Sequence, residues 1–229
     1  MIKRALALTV ALLLVWMMFD MLINWNAPKD LSGVAREYVE KEPHQLGAVN
    51  VVTAIVVTYR GFDTLGEVTV LFLAATGVAV LLSRRKKEPK PGKKKYRPAS
   101  EFLNTGTHLL SPFIVMFGAY IFLNGHLSPG GGFQGGAVIA SGVLFLFLVF
   151  PNFKLNHLAL NWLESTAGAS YVLVGLLGLF LAAGFLDNRF LPLGHYGALL
   201  SAGAIPVIYT FIGLKVGTEL SGILENLKN

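Results

Sequence analysis

The stretch "HLSPGGGFQGGAV" (residues 126–138) stands between two long apolar runs. A glycine cluster at the start of a helix serves as a phosphate cradle, a ligand loop or a tight turn between packed helices. A phosphate cradle needs a lysine for the phosphates and a Ser/Thr for magnesium. Here the glycines run on into "GGAVIAS", and no Lys or Arg occurs between Arg97 and Lys154. A dinucleotide fingerprint needs a preceding strand inside a βαβ unit, and what precedes is a run of membrane-helix composition. Phosphate binding is therefore excluded. Pro129 and the glycines at 130–132 make a compact turn, because glycine takes positive φ without steric penalty. Gly131 and Gly135, like Gly132 and Gly136, stand four apart around Phe133, a spacing that lets another helix backbone come close. Gln134 falls inside the same helix mouth, where a buried amide has to find a partner, either another protein chain or a passing ion.

Composition sets the solvent. Of the 229 residues, 54% are hydrophobic and 14% charged, and the mean hydropathy is +0.60. Apolar runs long enough to cross a bilayer, about 20 residues for a hydrocarbon core of roughly 30 Å, recur along the chain. This is the pattern of an all-α, polytopic membrane protein. The absence of cysteine excludes thiolate-held iron–sulfur clusters and zinc, disulfides and a cysteine nucleophile in this chain. The net charge of +6 is concentrated in "RRKKEPKPGKKKYR" (84–97), whose nine Lys/Arg and one Glu carry +8 and leave −2 for the remainder. So local a charge argues against nucleic-acid binding and for a cytoplasmic loop beside anionic headgroups.

Six membrane helices are expected: about 5–23, 62–83, 102–124, 133–150, 164–185 and 196–214. The first follows Lys3 and Arg4; a signal peptide is the alternative, but the run is long and no small-residue cleavage pattern follows, so it reads as a membrane helix. Trp16 and Trp25 lie toward its outer part, Trp25 as the interfacial aromatic. The β-branched run 49–59 has eleven residues, too few for a span. With Lys3/Arg4 and the basic linker both cytoplasmic, an even number of crossings separates them. The run 49–59 is thus expected to lie on the outer face or to half-enter the protein. The organisation is a two-helix module at 1–83, a basic cytoplasmic linker at 84–100 and a four-helix module at 101–229, with both termini cytoplasmic.

Ionisable groups within spans are functional candidates because burying them unpaired is costly. Glu67, in "RGFDTLGEVTVLFL", is the foremost, since a carboxylate drawn out of water holds a proton more readily. Asp63 lies one turn earlier on the same face, as a helix cap, a partner of Arg60 or a second relay group. His108, near Thr105, Thr107 and Ser111, is either a titrating group in a polar path or a packing histidine. His157 and Glu164 flank the inner end of the fifth span as an interfacial polar set. His126 and His195 fall on outer loops, and two histidines without a third ligand are too few for a metal site; no metal is expected. Lys215 and Glu219, four apart at the end of the last span, read as a surface ion pair. No Gly-x-Ser-x-Gly or His-Glu-x-x-His pattern occurs, and no close carboxylate pair beyond Asp63 and Glu67, so nothing points to covalent or hydrolytic catalysis.

Two longer motifs resemble known proteins. "HLLSPFIVMFGAYIFLNGH" with "SPGGGFQGGAVIASG" resembles the MnhB/MrpB subunit of Mrp-type sodium/proton antiporters. "NVVTAIVVTYRGFDTLGEVTVLFLAATGV" resembles the C-terminal tail of the large antiporter A subunit and the MbhE subunit of archaeal membrane-bound hydrogenases. The resemblance implies a non-catalytic membrane subunit, without cofactor, in an ion-translocating complex related to respiratory complex I, moving Na+ or H+. Its implied partners are other Mrp-type subunits, hydrogenase- or reductase-like redox subunits and membrane lipids. Carried over by motif, Asp63 and Glu67 belong to the ion path, and Gly131, Gly132, Phe133, Gln134, Gly135 and Gly136 to the glycine motif. The fusion of an A-tail segment to a B module, without the large antiporter helices, favours an archaeal energy-converting assembly. The alternatives are a scaffold that seals the complex and a subunit of a free-standing antiporter.

Overall fold

The computed structural model describes residues 2–24, 30–85 and 99–228. Trp25 and most of the basic linker lie outside the described residues. Among the described residues the regular structure is helical, and six helices are long and apolar enough to cross a membrane. The protein is a multi-pass membrane protein.

The chain forms two compact units, divided after Glu37. The first is α1 (Ile2–Asn24) with the start of α2 (Gly33–Gln45). The described side chains of α1 are exposed, Trp16 included.

The second unit contains everything else. After α2 comes α3 (Val51–Ala54), capped by Asn50, whose side chain accepts from Thr53 N. It runs directly into a π-helical turn, Ile55–Tyr59. That turn is closed by Arg60 N donating to Ile55 O at 2.7 Å, and Thr64 Oγ1 donates to Val56 O. Thr53, Ala54 and Val57 are buried, so the segment 49–59 enters the protein rather than lying over it. Four helices of the second unit follow: α4 (Gly61–Arg85), α5 (Glu101–Leu123), α6 (Gly132–Val149) and α7 (His157–Leu181). The last helix, α8 (Ile205–Lys228), packs against α4, α5, α6 and α7. The core assembles Ala54, Val57, Val68, Tyr171, Ile205, Ile208, Ile212 and Val216, from both sides of the basic linker.

Two spans differ from expectation. The fifth starts at His157, where Asn156 caps it by accepting from Leu158 N and Ala159 N, and the sixth starts at Ile205, not 196. The apolar stretch "LGHYGALLSAGA" (193–204) is not helical because Gly194, Gly197, Ala202 and Gly203 all take φ between 60° and 83°. Hydropathy counts these residues as membrane-compatible but does not register the left-handed backbone. As a consequence, α8 extends through Lys215 and Glu219 to Lys228, and both charges move from a helix end to its middle.

A candidate ion-pathway site between helices 4, 7 and 8

Helix α8 offers two working faces. One is glycine-lined and meets α6. A Cβ at Gly136 would fall 2.8 Å from Gly213 O, 2.8 Å from Val216 Cβ and 2.9 Å from Gly217 N. A Cβ at Gly132 would meet Ile212, and one at Gly131 the ring of Tyr209. On the other side of α6, a Cβ at Gly135 would fall 2.5 Å from Gly118 O of α5. Phe133 packs partly buried against the core.

The second face of α8 carries charge. Lys215 Nζ donates to Glu219 Oε1 at 2.6 Å, one turn on. It lies 3.9 Å from Glu164 Oε1 of α7 and 5.1 Å from the centroid of the Phe72 ring on α4. The Lys215 side chain is 11% exposed, that of Glu219 0% and that of Glu164 25%. Glu219 Oε2 has no hydrogen-bond partner. The ammonium thus sits between two carboxylates and an aromatic face, a desolvated arrangement in which electrostatic interactions are strong. Two turns further on, Glu225 accepts from Leu155 N at 3.2 Å and its Oε2 lies 3.5 Å from His157 Nε2. Lys228 Nζ donates to Phe153 O at 2.6 Å. The bonds from Leu155 N to Glu225 and from Lys228 to Phe153 O fasten the α6–α7 connection to the end of α8.

The surface ion pair expected for Lys215 and Glu219 is therefore a buried one, and Glu164 is inside its span as their neighbour. His157 begins α7 and joins Glu225 instead. Among the other candidates, Asp63 pairs with Arg60 at 2.6 Å on the surface. Glu67 is exposed on α4, close enough for its charge to act on the buried Tyr171 and Tyr209 of α7 and α8. Gln134 is exposed as well, not buried in the helix mouth, because Gly135 and Gly136 occupy the buried face of α6. His108 is exposed and rests on the Phe150 ring, with centroids 4.8 Å apart. Thr107 and Ser111 turn inward and bond to Leu103 O and Thr107 O of their own helix, so no polar lane joins them to His108.

At one end of the bundle the entering segment clamps the glycine turn. Asn50 Nδ2 donates to Gly125 O and Ser128 O, both at 3.0 Å, Thr53 Oγ1 donates to Gly125 O, and Tyr209 OH donates to Thr53 Oγ1. His126 is fully buried with Nε2 3.4 Å from Ala198 O. Burial pushes its pKa down, partly offset by the carbonyls of Ala198 and Leu199. His195 stays on the surface, and no group of three or more His, Asp or Glu among the described residues is arranged to hold a metal ion. A cavity of about 310 Å³ opens beside Tyr59, Thr58, Phe185 and Asp187. There Arg189 grips Asp187 and holds its carboxyl down at about 2.

Glu42, also in this region, is buried with Oε1 accepting from Ala48 N at 2.8 Å. Burial raises its pKa, and the Ala48 N–H offsets this only in part. The folded protein then keeps a proton that the unfolded chain has released, so stability falls as pH rises from the ordinary carboxylate range through the folded value. Glu42→Gln keeps an acceptor for Ala48 and removes the titration. Its melting temperature relative to the wild type is expected to improve as pH rises through that window. A difference that stays constant with pH would rule the account out.

With this geometry, residues 102–222 match the model of the domain related to the MnhB subunit of Na+/H+ antiporter. The chain belongs to the MnhB family. Residues 2–107, most of them ahead of the MnhB domain, match the model of MbhE, the E component of MBH. An uncharacterized protein of Methanocaldococcus jannaschii is 31% identical over 198 residues, covering 75% of this chain and 74% of that protein. A chain of the membrane-bound sulfane sulfur reductase, an archaeal respiratory membrane complex, is 45% identical with a TM-score of 0.82, covering 99% of this chain and 98% of that one. A chain of the Mrp complex from Dietzia sp. DQ12-45-1b is 25% identical with a TM-score of 0.77; 99% of this MnhB-type chain matches 26% of that longer one.

Proposed function

We propose that this MnhB-type chain is a non-catalytic membrane subunit of an Mrp-type cation/proton antiporter module within an energy-converting respiratory complex of hydrogenase or sulfur-reductase type. The observation that carries this reading is the end-to-end correspondence, at 45% identity, with a chain of the sulfane sulfur reductase complex. The placement of Glu67 supports it too. A carboxylate exposed on a membrane-spanning helix is unfavourable against lipid, so that face of α4 suits a polar neighbour on another chain of the complex. In this reading Na+ or H+ is the transported ion, the chain itself holds no cofactor, and both termini are cytoplasmic, as the basic residues at 84–97 favour. The buried Glu164–Lys215–Glu219 cluster contributes to the ion path, with Glu67, Asp63 and His157 as further candidates.

The test is affinity capture of the chain from gently solubilised native membranes, followed by mass spectrometry. Antiporter-type subunits are expected together with iron–sulfur redox subunits. Antiporter-type subunits alone would replace the respiratory reading by a secondary antiporter. An intact chain recovered alone, with controls showing stable complexes, would overturn the subunit assignment.

A further inference from the structure

One buried cluster sets a single cation against two carboxylates. Lys215 supplies one positive charge against two carboxylates, Glu164 and Glu219. Among the described residues, no second cation stands beside them. Helix α6 contains no Asp, Glu, Lys or Arg, and α4 presents the Phe72 ring; Glu67 of α4, whose charge acts on Tyr171 and Tyr209, would add a further negative charge, and His108 of α5 is exposed against the Phe150 ring. On α7, His157 is occupied with Glu225, and on α8, Lys228 is occupied with Phe153 O. With all three groups ionised the cluster carries −1, and an uncompensated charge in a desolvated place is strongly unfavourable. A single added proton brings it to zero.

We propose that Glu164, Lys215 and Glu219 form a one-proton binding site, in which the proton rests on whichever carboxylate the lysine ammonium is not holding. The chemistry is simple addition: one proton from water forms one O–H bond on a carboxylate, and nothing is oxidised or reduced. In the arrangement seen here the ammonium holds Glu219 at 2.6 Å and stands 3.9 Å from Glu164. Glu164 is then the carboxylate the ammonium does not hold, and at 25% exposure it is the more accessible of the two. When the ammonium moves to Glu164, the proton belongs on Glu219, whose Oε2 is buried and without a partner. The lysine lies along Gly168 of α7, where a Cβ would stand in ordinary contact, 3.4–3.6 Å from Lys215 Cδ, Cε and Nζ. The proposal rests on the membrane-subunit reading only in taking α7 and α8 to cross a bilayer.

The measurement is infrared difference spectroscopy of the captured complex between neutral and alkaline buffer, following the carbonyl stretch of protonated carboxyl groups and its shift in D2O. The wild type is expected to show a band that Glu164→Gln removes, because Lys215 and Glu219 then balance without a proton. Glu219→Gln is expected to remove the same band, and the double substitution no more than that one. If Glu219→Gln does not assemble, Glu164→Gln alone decides. Retention of every band in an assembled Glu164→Gln complex would overturn the proposal, as would two separate bands lost one to each variant. A cluster whose carboxylate vibrations respond to added NaCl but not to pH would make it a sodium site instead. Mass spectrometry of the same preparation reports separately whether partner subunits are present, so a failed subunit assignment is not mistaken for a failed proton site.

Discussion

Alanine in place of Gly136 is expected to deplete the folded subunit. The new methyl would sit 2.8 Å from Gly213 O and 2.9 Å from Gly217 N, and both atoms are backbone of α8. A side chain in the way can rotate aside, but a helix backbone can yield only if the helix moves. Helix α8 is also held by α4, α5 and α7, so a shift away from α6 disturbs three other interfaces. Overfilling a packed core costs about 1–3 kcal/mol even where side chains absorb the strain, and this backbone clash belongs at or above the top of that range. Gly222 is the matched control on the same helix, since a Cβ there meets nothing within 4 Å, and alanine improves helix propensity by roughly 1 kcal/mol. Yield of monodisperse detergent-solubilised protein and its melting temperature are the readouts. Gly136→Ala melting with the wild type would mean that α6 and α8 are not locked at this point.

What is legible in the sequence follows from what each pattern encodes. The four-residue spacing in "GGGFQGG" encodes a close approach because only small side chains leave that gap, and Gly135 and Gly136 do sit against the backbones of α5 and α8. The number of spans is readable from hydropathy for the same reason: crossing a bilayer demands length and apolarity together. Depth can be read, but direction cannot. Glu67, Gln134 and His108 fall within spans, yet all three are exposed in this chain, because the facing of a helix depends on which neighbours it packs against. Helix ends in the last third differ from expectation, because residues 193–204 are apolar in composition and left-handed in backbone at four positions. That one difference is enough to hide the buried charge cluster. A signal does exist: Ile212, Val216 and Glu219 fall at helical spacing on buried positions, continuing the face of Ile205 and Ile208 past the expected end of the span.

The glycine seam and the charge cluster meet on α8, so packing and polarity are coupled through one helix. The turn at 124–131 is held by Asn50 and Thr53 of the entering segment, and Tyr209 of α8 bonds to Thr53 in turn. A displacement of α8 would therefore be felt both at that clamp and at Lys215.

Lys215→Met is expected to destabilise the subunit by about 3–5 kcal/mol, the usual result of stripping one member from a buried ion pair. Glu219 would then lose its 2.6 Å donor while its other oxygen already has no partner. Removing both members behaves differently, because apolar groups of similar volume have no charge to desolvate. Lys215→Met with Glu219→Leu is therefore expected to recover most of the lost melting temperature and to assemble. The remaining carboxylate, Glu164, is the most exposed of the three and is the one best able to stand alone. Stability and transport separate in this double variant. If the cluster is part of the ion path, the variant assembles, stays folded and no longer supports ion translocation by the reconstituted complex. If it translocates at the wild-type rate, the buried charges serve only to set the packing of α7 against α8. If the single substitution is no less stable than the wild type, Glu219 was never charged in the folded protein, and the ion pair itself would have to be given up.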